Sequence, residues 1–153
     1  MDEMFVDYYK VYASSKLRKG YSGVAMYSKI IPDKIEGLGI KEFDDEGRTI
    51  IAHFGKTTII TSYFPNGGQG PHRLEYKLKF YDAFLKKIIA LRKSGQRVIF
   101  CGDVNTAHTE FDLARPKANE QNTGFLPIER AWIDKVIKND FIDEEWISNK
   151  TRY

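Results

Sequence analysis

The longest regular row of apolar positions in this chain lies between Arg73 and Lys93. Leu74, Leu78, Tyr81, Leu85, Ile88 and, closing the row, Arg92 step by four, three, four, three and four. That spacing predicts a helix with one apolar face, ended by Ser94-Gly95. Elsewhere the pattern is shorter and strand-like. Gly23 to Ile31 reads as a strand stopped by Pro32-Asp33. Arg48 to Phe54 and the β-branched run Thr57–Tyr63 flank Gly55-Lys56, which predicts a hairpin and an antiparallel pair. Asp44-Asp45-Glu46-Gly47 is a turn, and residues 65–71 form a proline–glycine loop. A further strand spans 97–104, and 106–126 is a long polar loop. Pro127 then opens a helix whose buried face is Trp132, Ile133, Val136 and Ile137, closed by Asn139. Residues 1–19 read as a short helix or turn followed by a strand. Hairpins combined with covering helices predict α/β layers with partly antiparallel pairing.

Composition narrows the picture without deciding it. The 153 residues are one domain's worth of chain, and 42 % apolar with 14 % aromatic content argues against disorder. The 24 Lys and Arg against 21 Asp and Glu permit nucleic-acid binding but do not argue for it. No apolar run approaches the roughly 18 residues of a membrane span, and no signal-peptide pattern opens the sequence. Cys101 is the single cysteine and reads as a small buried hydrophobe, with no disulfide within the chain. A reducing cytoplasm is the simplest compartment on these grounds.

The chemistry concentrates at Arg97-Val98-Ile99-Phe100-Cys101-Gly102-Asp103-Val104-Asn105. A strand run ends at a glycine, and an acid and an amide two apart follow. If the extended geometry persists, Asp103 and Asn105 point to one side. A carboxylate and a carboxamide at a strand's carboxyl end suit a metal-assisted hydrolytic site, where the acid takes a proton or holds a metal and the amide donates to a phosphate oxygen. The alternative is an Asx turn leaving a strand. His53, His72 and His108 lack the spacing of a zinc helix. His108 lies nearest the acid and reads as a hydrogen-bonding structural residue, with a DNA contact as the alternative.

Seven short strings occur in one order: Gly20-Tyr21-Ser22-Gly23-Val24-Ala25, Glu46-Gly47-Arg48, Tyr63-Phe64-Pro65-Asn66, Arg73-Leu74-Glu75-Tyr76-Lys77, Gly102-Asp103-Val104-Asn105, Phe111-Asp112-Leu113-Ala114-Arg115-Pro116-Lys117 and Asn122-Thr123-Gly124-Phe125-Leu126-Pro127-Ile128-Glu129-Arg130. Together, from about Gly20 to Phe141, they resemble the exonuclease III class of apurinic/apyrimidinic (AP) endonucleases, within the endonuclease/exonuclease/phosphatase superfamily. The resemblance implies an α/β fold, an incomplete four-layer sandwich of two packed mixed or antiparallel sheets flanked by helices. It implies that Asp103 activates the attacking water, that Asn105 binds the scissile phosphate, and that both lie among the ligands of Mg2+, with Mn2+ as a substitute. Tyr63 inherits a place in the phosphate site. Asn66, Tyr21, Lys117, Asn119 and Asn122 inherit DNA contacts, although loop asparagines are ordinarily turn formers. Arg48 matches a family position and is assigned an ion pair near the sheet end.

The implied substrate is double-stranded DNA containing abasic sites, cut on their 5′ side to leave a 3′-hydroxyl, with 3′-to-5′ exonuclease action as an accompaniment. The implied protein is a monomer of the bacterial cytoplasm or the nucleus. The family's principal metal-binding glutamate and its Ser-Asp-His element have no counterpart here, so residues 1–153 are expected to be part of a larger domain and to have little nuclease activity alone. Another phosphoesterase of the superfamily and a non-catalytic DNA-binding remnant are the competing readings.

Overall fold

A computed structural model of the chain describes residues 5–68 and 70–143, in two units, residues 1–105 and residues 106–153. The first unit runs β1 (Tyr9–Ser14), β2 (Gly23–Ser28), β3 (Lys34–Glu36), α1 (Lys41–Asp44), β4 (Thr49–Phe54), β5 (Thr57–Ser62), α2 (Pro71–Lys93) and β6 (Arg97–Cys101). β1 and β2 form an antiparallel two-stranded sheet, with Tyr9 opposite Ser28. The other sheet has the order β3-β4-β5-β6. Its centre is the predicted hairpin, β4 antiparallel to β5 with Phe54 opposite Thr57. α2 then carries the chain across to β6, which lies parallel to β5 with Ile60 opposite Phe100; parallel neighbours require such a crossover. The small sheet packs over β4 and β5. An α/β layering of two packed sheets, one antiparallel and one mixed, is therefore present as expected.

The strand period sorts the second sheet's residues onto two faces. Ile51, Ile60 and Phe100 share the face that meets α2. There Phe64 packs on Phe80 and Phe84 at ring separations of 5.1 and 4.7 Å, Phe84 on Phe100 at 5.3 Å, and Phe43 on Phe80 at 5.2 Å. Each such buried ring contributes about 1.5–3 kcal/mol. The opposite face is sealed at Ile50 and Ala52 but opens towards β6, where Ile99 is 57 % exposed. Cys101 shares that face and is exposed, contrary to the expectation of burial. The register places it beside Ile99 and away from α2.

Several boundaries differ from the sequence reading. β2 stops at Ser28, short of Ile31, because the Ser28 hydroxyl bonds both the carbonyl and the amide of Ile30 and so competes with the ladder. β6 stops at Cys101, short of residue 104. The α2 face is also rotated from the predicted row: Arg73, Lys77, Phe80, Tyr81, Phe84, Leu85 and Ile88 are buried, and Leu74 and Leu78 only partly so. Two basic residues occupy positions that an apolar count skips.

In the second unit the expected loop 106–126 contains a single 3-10 turn at Glu110–Asp112 and a short helix, α3 (Pro116–Asn119). α4 (Pro127–Lys138) starts at the predicted proline. Its buried residues are Glu129, Trp132 and Val136, whereas Ile137 is exposed. Glu129 replaces a hydrophobe because its carboxylate accepts from the Thr123 hydroxyl and from the amides of Gly124 and Leu126, tying the preceding loop to the helix start. Among the described residues no helix is long and apolar enough to cross a membrane.

Candidate active site

β5 and β6 are parallel, so their carboxyl ends meet at one edge of the sheet, the usual place for a ligand in an α/β layer. Gly102 makes this junction possible. It sits at φ 130°, and a Cβ built on it would lie 2.0 Å from the carbonyl oxygen of Ser62. Only glycine lets the chain leave β6 this close to the end of β5. Beyond it the backbone is not extended: Asn105 has φ 52°, in the left-handed region. Asparagine tolerates that region better than most residues. The amide of Asn105 donates to Asp103 Oδ1 at 2.8 Å, which is an Asx turn. The turn brings acid and amide together without the extended geometry, and the Asn105 Nδ2 lies 3.3 Å from Asp103 Oδ2.

The loop is fixed to its surroundings through three consecutive carbonyls. That of Asp103 accepts from the Phe64 amide at 2.9 Å, that of Val104 from the Tyr81 hydroxyl at 3.3 Å, and that of Asn105 from Lys77 Nζ at 2.7 Å. In return Asn105 Nδ2 donates to the Phe64 carbonyl at 2.9 Å. The segment Tyr63–Asn66 is thereby stitched to Asp103–Asn105, and Asn66 Nδ2 reaches to 3.5 Å from Asn105 Oδ1. Asp103 itself is exposed, as a group that meets a ligand must be.

A buried charge cluster adjoins this edge. Glu46 accepts both terminal nitrogens of Arg73 at 2.9 Å each, and Arg48 Nε donates to the same carboxylate. The three residues are only 5, 9 and 4 % exposed, in that order. Burial pushes the Glu46 carboxyl up, but hydrogen bonds from Arg73 and Arg48 outweigh it and hold it below the usual carboxylate range. The Arg48 guanidinium lies 4.9 Å from the Tyr63 ring centre and 5.6 Å from that of Tyr21, within cation–π reach. Arg73 lies 4.3 Å from the Tyr76 ring. Arg48 also donates to the Tyr63 carbonyl and accepts the Tyr63 amide on its own carbonyl. Its expected ion pair near the sheet end is present. Gly47 packs so tightly that an added Cβ would stand 2.2 Å from the Ser14 backbone, which brings this cluster against the end of β1.

Of the sequence-predicted residues, Tyr63, Asp103, Asn105 and Asn66 are joined by direct or adjacent backbone bonds. Tyr21 connects to Tyr63 through Arg48. Lys117, Asn119 and Asn122 belong to the second unit. There Asn119 Nδ2 caps the Arg115 carbonyl at 2.8 Å, and Asn122 Nδ2 donates to Asn119 Oδ1 at 3.1 Å. Asn119, half-buried, ends α3, and Asn122 is exposed in the bend that follows. His108 bonds Asp134 at 2.8 Å, the expected hydrogen-bonding role. The sequence reading missed Glu46, Arg73, Lys77, Tyr76 and Tyr81. Arg73 and Lys77 stand four apart in one of the seven strings, and that i, i+4 repeat beside an aromatic stripe was the available signal.

As a metal site, Asp103 and Asn105 offer one carboxylate and one amide oxygen. Hard oxygen donors suit Mg2+, which is commonly held by one or two carboxylates together with water and phosphate oxygens. Among the described residues no group of three His, Cys, Asp or Glu side chains that could hold a metal ion is present. The pair thus fits part of a Mg2+ shell.

Layered sheets, a βαβ crossover and an acid–amide pair at the strand ends define an α/β protein with a candidate site at that edge. The chain belongs to the Endonuclease/Exonuclease/phosphatase family, whose model matches residues 3–151. It is 40 % identical over 136 residues to an exodeoxyribonuclease of Bacillus subtilis (strain 168), covering 88 % of this chain and 54 % of that protein. It is 38 % identical over 136 residues to the DNA repair nuclease APEX1 of Danio rerio, covering 88 % and 44 %. The structure of an AP endonuclease from Archaeoglobus fulgidus superimposes with a TM-score of 0.79 at 25 % identity, over 90 % of this chain and 53 % of that one. The chain therefore spans about half the length of the relatives it matches.

Proposed function

We propose that this chain carries the water-activating and phosphate-binding part of a DNA repair nuclease that hydrolyses the phosphodiester bond 5′ of an abasic site. The observation that carries the reading is the exposed Asp103 carboxylate, fixed beside Asn105 and stitched to the Tyr63–Asn66 segment at the parallel strand ends. Relatives named as an exodeoxyribonuclease and a DNA repair nuclease support it. In this reading Asp103 accepts a proton from water as the water oxygen attacks phosphorus. The P–O3′ bond breaks, and the leaving oxygen takes a proton to become the 3′-hydroxyl. Asn105 turns one Nδ2 hydrogen, now on the longer contact to Asp103, towards a phosphate oxygen. Tyr63 donates its hydroxyl to the same group. The Glu46–Arg48–Arg73 cluster carries a net charge of +1 (two guanidiniums, one carboxylate) and favours an anion at this edge. Mg2+, or Mn2+ in its place, would be held in part by Asp103 and Asn105 and would stabilise charge developing on the phosphate oxygens. The enzyme acts on duplex DNA as a monomer, in the cytoplasm or nucleus.

The test uses the longest natural polypeptide that carries this sequence, with a duplex bearing one abasic site and Mg2+. The expected product is a nick 5′ of that site with a 3′-hydroxyl end. Asp103→Ala is expected to cut about 10²–10⁴-fold more slowly, the usual worth of a general base, while duplex binding survives. Preferential cleavage of small phosphomonoesters or phospholipids would move the protein to another branch of the family. Binding without cutting by the unaltered protein would make it a DNA-binding remnant.

A further inference from the structure

Lys77 is wholly buried, at 0 % exposure, and its Nζ lies 2.7 Å from the Asn105 carbonyl. An ammonium is among the most costly groups to take out of water. Phe80, Phe84 and Ile88 fill the stripe below it on α2, so an apolar residue at position 77 would be the ordinary choice for packing. What the ammonium adds is a charge-assisted hydrogen bond, shorter and stronger than a neutral one. Its acceptor is the carbonyl of the one non-glycine residue in the loop with positive φ. One turn further along the helix, Tyr81, 1 % exposed, donates to the preceding carbonyl at 3.3 Å. Two donors four apart on a helix face the same way, and here they hold adjacent peptide units of the loop.

We infer that Lys77 and Tyr81 are positioning residues. They clamp the carbonyls of Asn105 and Val104, hold Asn105 in its left-handed conformation and so fix the acid–amide pair. Neither is assigned contact with substrate. Without the clamp, Asn105 is free to relax to an extended conformation, which breaks the Asx turn and swings its amide off the Phe64 carbonyl. The functional arm of this inference rests on the nuclease reading above; the structural arm does not.

The experiment compares Lys77→Met, which keeps the bulk and removes the charge, with Lys77→Arg and Tyr81→Phe. NMR order parameters and the Asn105 φ from dipolar couplings are measured on the full chain, alongside steady-state incision of abasic duplex by the longer natural protein. In the unaltered chain Asn105 is expected at the rigid value of about 0.85. In Lys77→Met it is expected to fall below about 0.6 while the amides of β4 remain rigid, with Lys77→Arg restoring order. Tyr81→Phe is expected to loosen Val104 and Asn105 by a smaller amount, and it decides the matter should Lys77→Met fail to fold. Incision kcat is expected to drop about 10–100-fold with KM within about threefold, the signature of lost geometry with retained binding. A rigid, left-handed Asn105 in Lys77→Met and in Tyr81→Phe would overturn the clamp, as would loosening of β4 and the loop together. Unchanged kcat in variants whose Asn105 is loose would overturn the functional arm, that the clamp serves incision. Absence of cutting by the unaltered protein would instead sink the nuclease reading, with the order parameters still deciding the clamp.

Discussion

Glu36 illustrates how one residue can set a pH limit on this unit. Its carboxylate lies 2.8 Å from Lys34 Nζ, 3.0 Å from Lys87 Nζ and 3.1 Å from His53 Nε2. Burial raises its pKa, but hydrogen bonds from Lys34, Lys87 and His53 together bring it down from 4.5 to about 2. A folded-state pKa below the unfolded one gives stability that is complete above about pH 4.5 and is lost as pH falls towards 2. Glu46 is shifted in the same direction. Urea midpoints measured from pH 5 to pH 2.5 are expected to fall steadily, and Glu36→Gln is expected to flatten that slope without abolishing it. At this scale the sequence was readable in part. Asp103 could be picked out because it follows a strand and a glycine, where an acid serves either as a turn former or as a group facing a ligand. The attitude of Asn105 could not, because its φ is dictated by donors from α2 and Phe64, both remote in sequence. The Asx turn that the sequence offered as the alternative is present, and the proposed functional pair is built on that same turn.

The charge cluster ties together elements that are separate in sequence. Glu46 lies in the turn before β4, Arg48 immediately precedes that strand, and Arg73 is in the first turn of α2. A buried carboxylate bridging two guanidiniums resists removal of its charge, since both cations would be left desolvated. Glu46→Gln is expected to lower unfolding free energy by about 3–5 kcal/mol, read from denaturant titration. Helix existence and the hairpin were legible because long periodic runs and a two-residue connection leave little choice. The buried face of α2 was legible only as to type. Its true stripe includes Arg73 and Lys77, which apolar counting cannot place because their burial depends on Glu46 and on the Asn105 carbonyl. β3 and α1, three and four residues long, are too short to carry a period at all.

Across the first unit, cover is uneven. β6 ends the strand order among the described residues, and its Ile99 is 57 % exposed on the face that the small sheet covers over β4. An edge strand with an exposed large apolar residue invites strand pairing between copies. Ile99→Lys is expected to reduce concentration-dependent light scattering of this chain without lowering its urea midpoint, because an exposed side chain contributes little to the core. The layered class was legible from the mixture of a hairpin and covering helices. The exposure of β6 was not, since an unbroken Val-Ile-Phe-Cys run reads as a strand buried on both sides.

The parallel pairing of β5 with β6 has a further consequence. Thr61 and Cys101 are neighbours because the intervening helix returns the chain to the start of a parallel strand, so neither tetrapeptide string owns the site. A synthetic peptide spanning Arg97 to Asn105 would inherit the letters but not the geometry, and the same residues grafted onto an isolated hairpin would lack both anchors. What brings these residues together is the crossover as a unit, which makes the constellation hard to transplant.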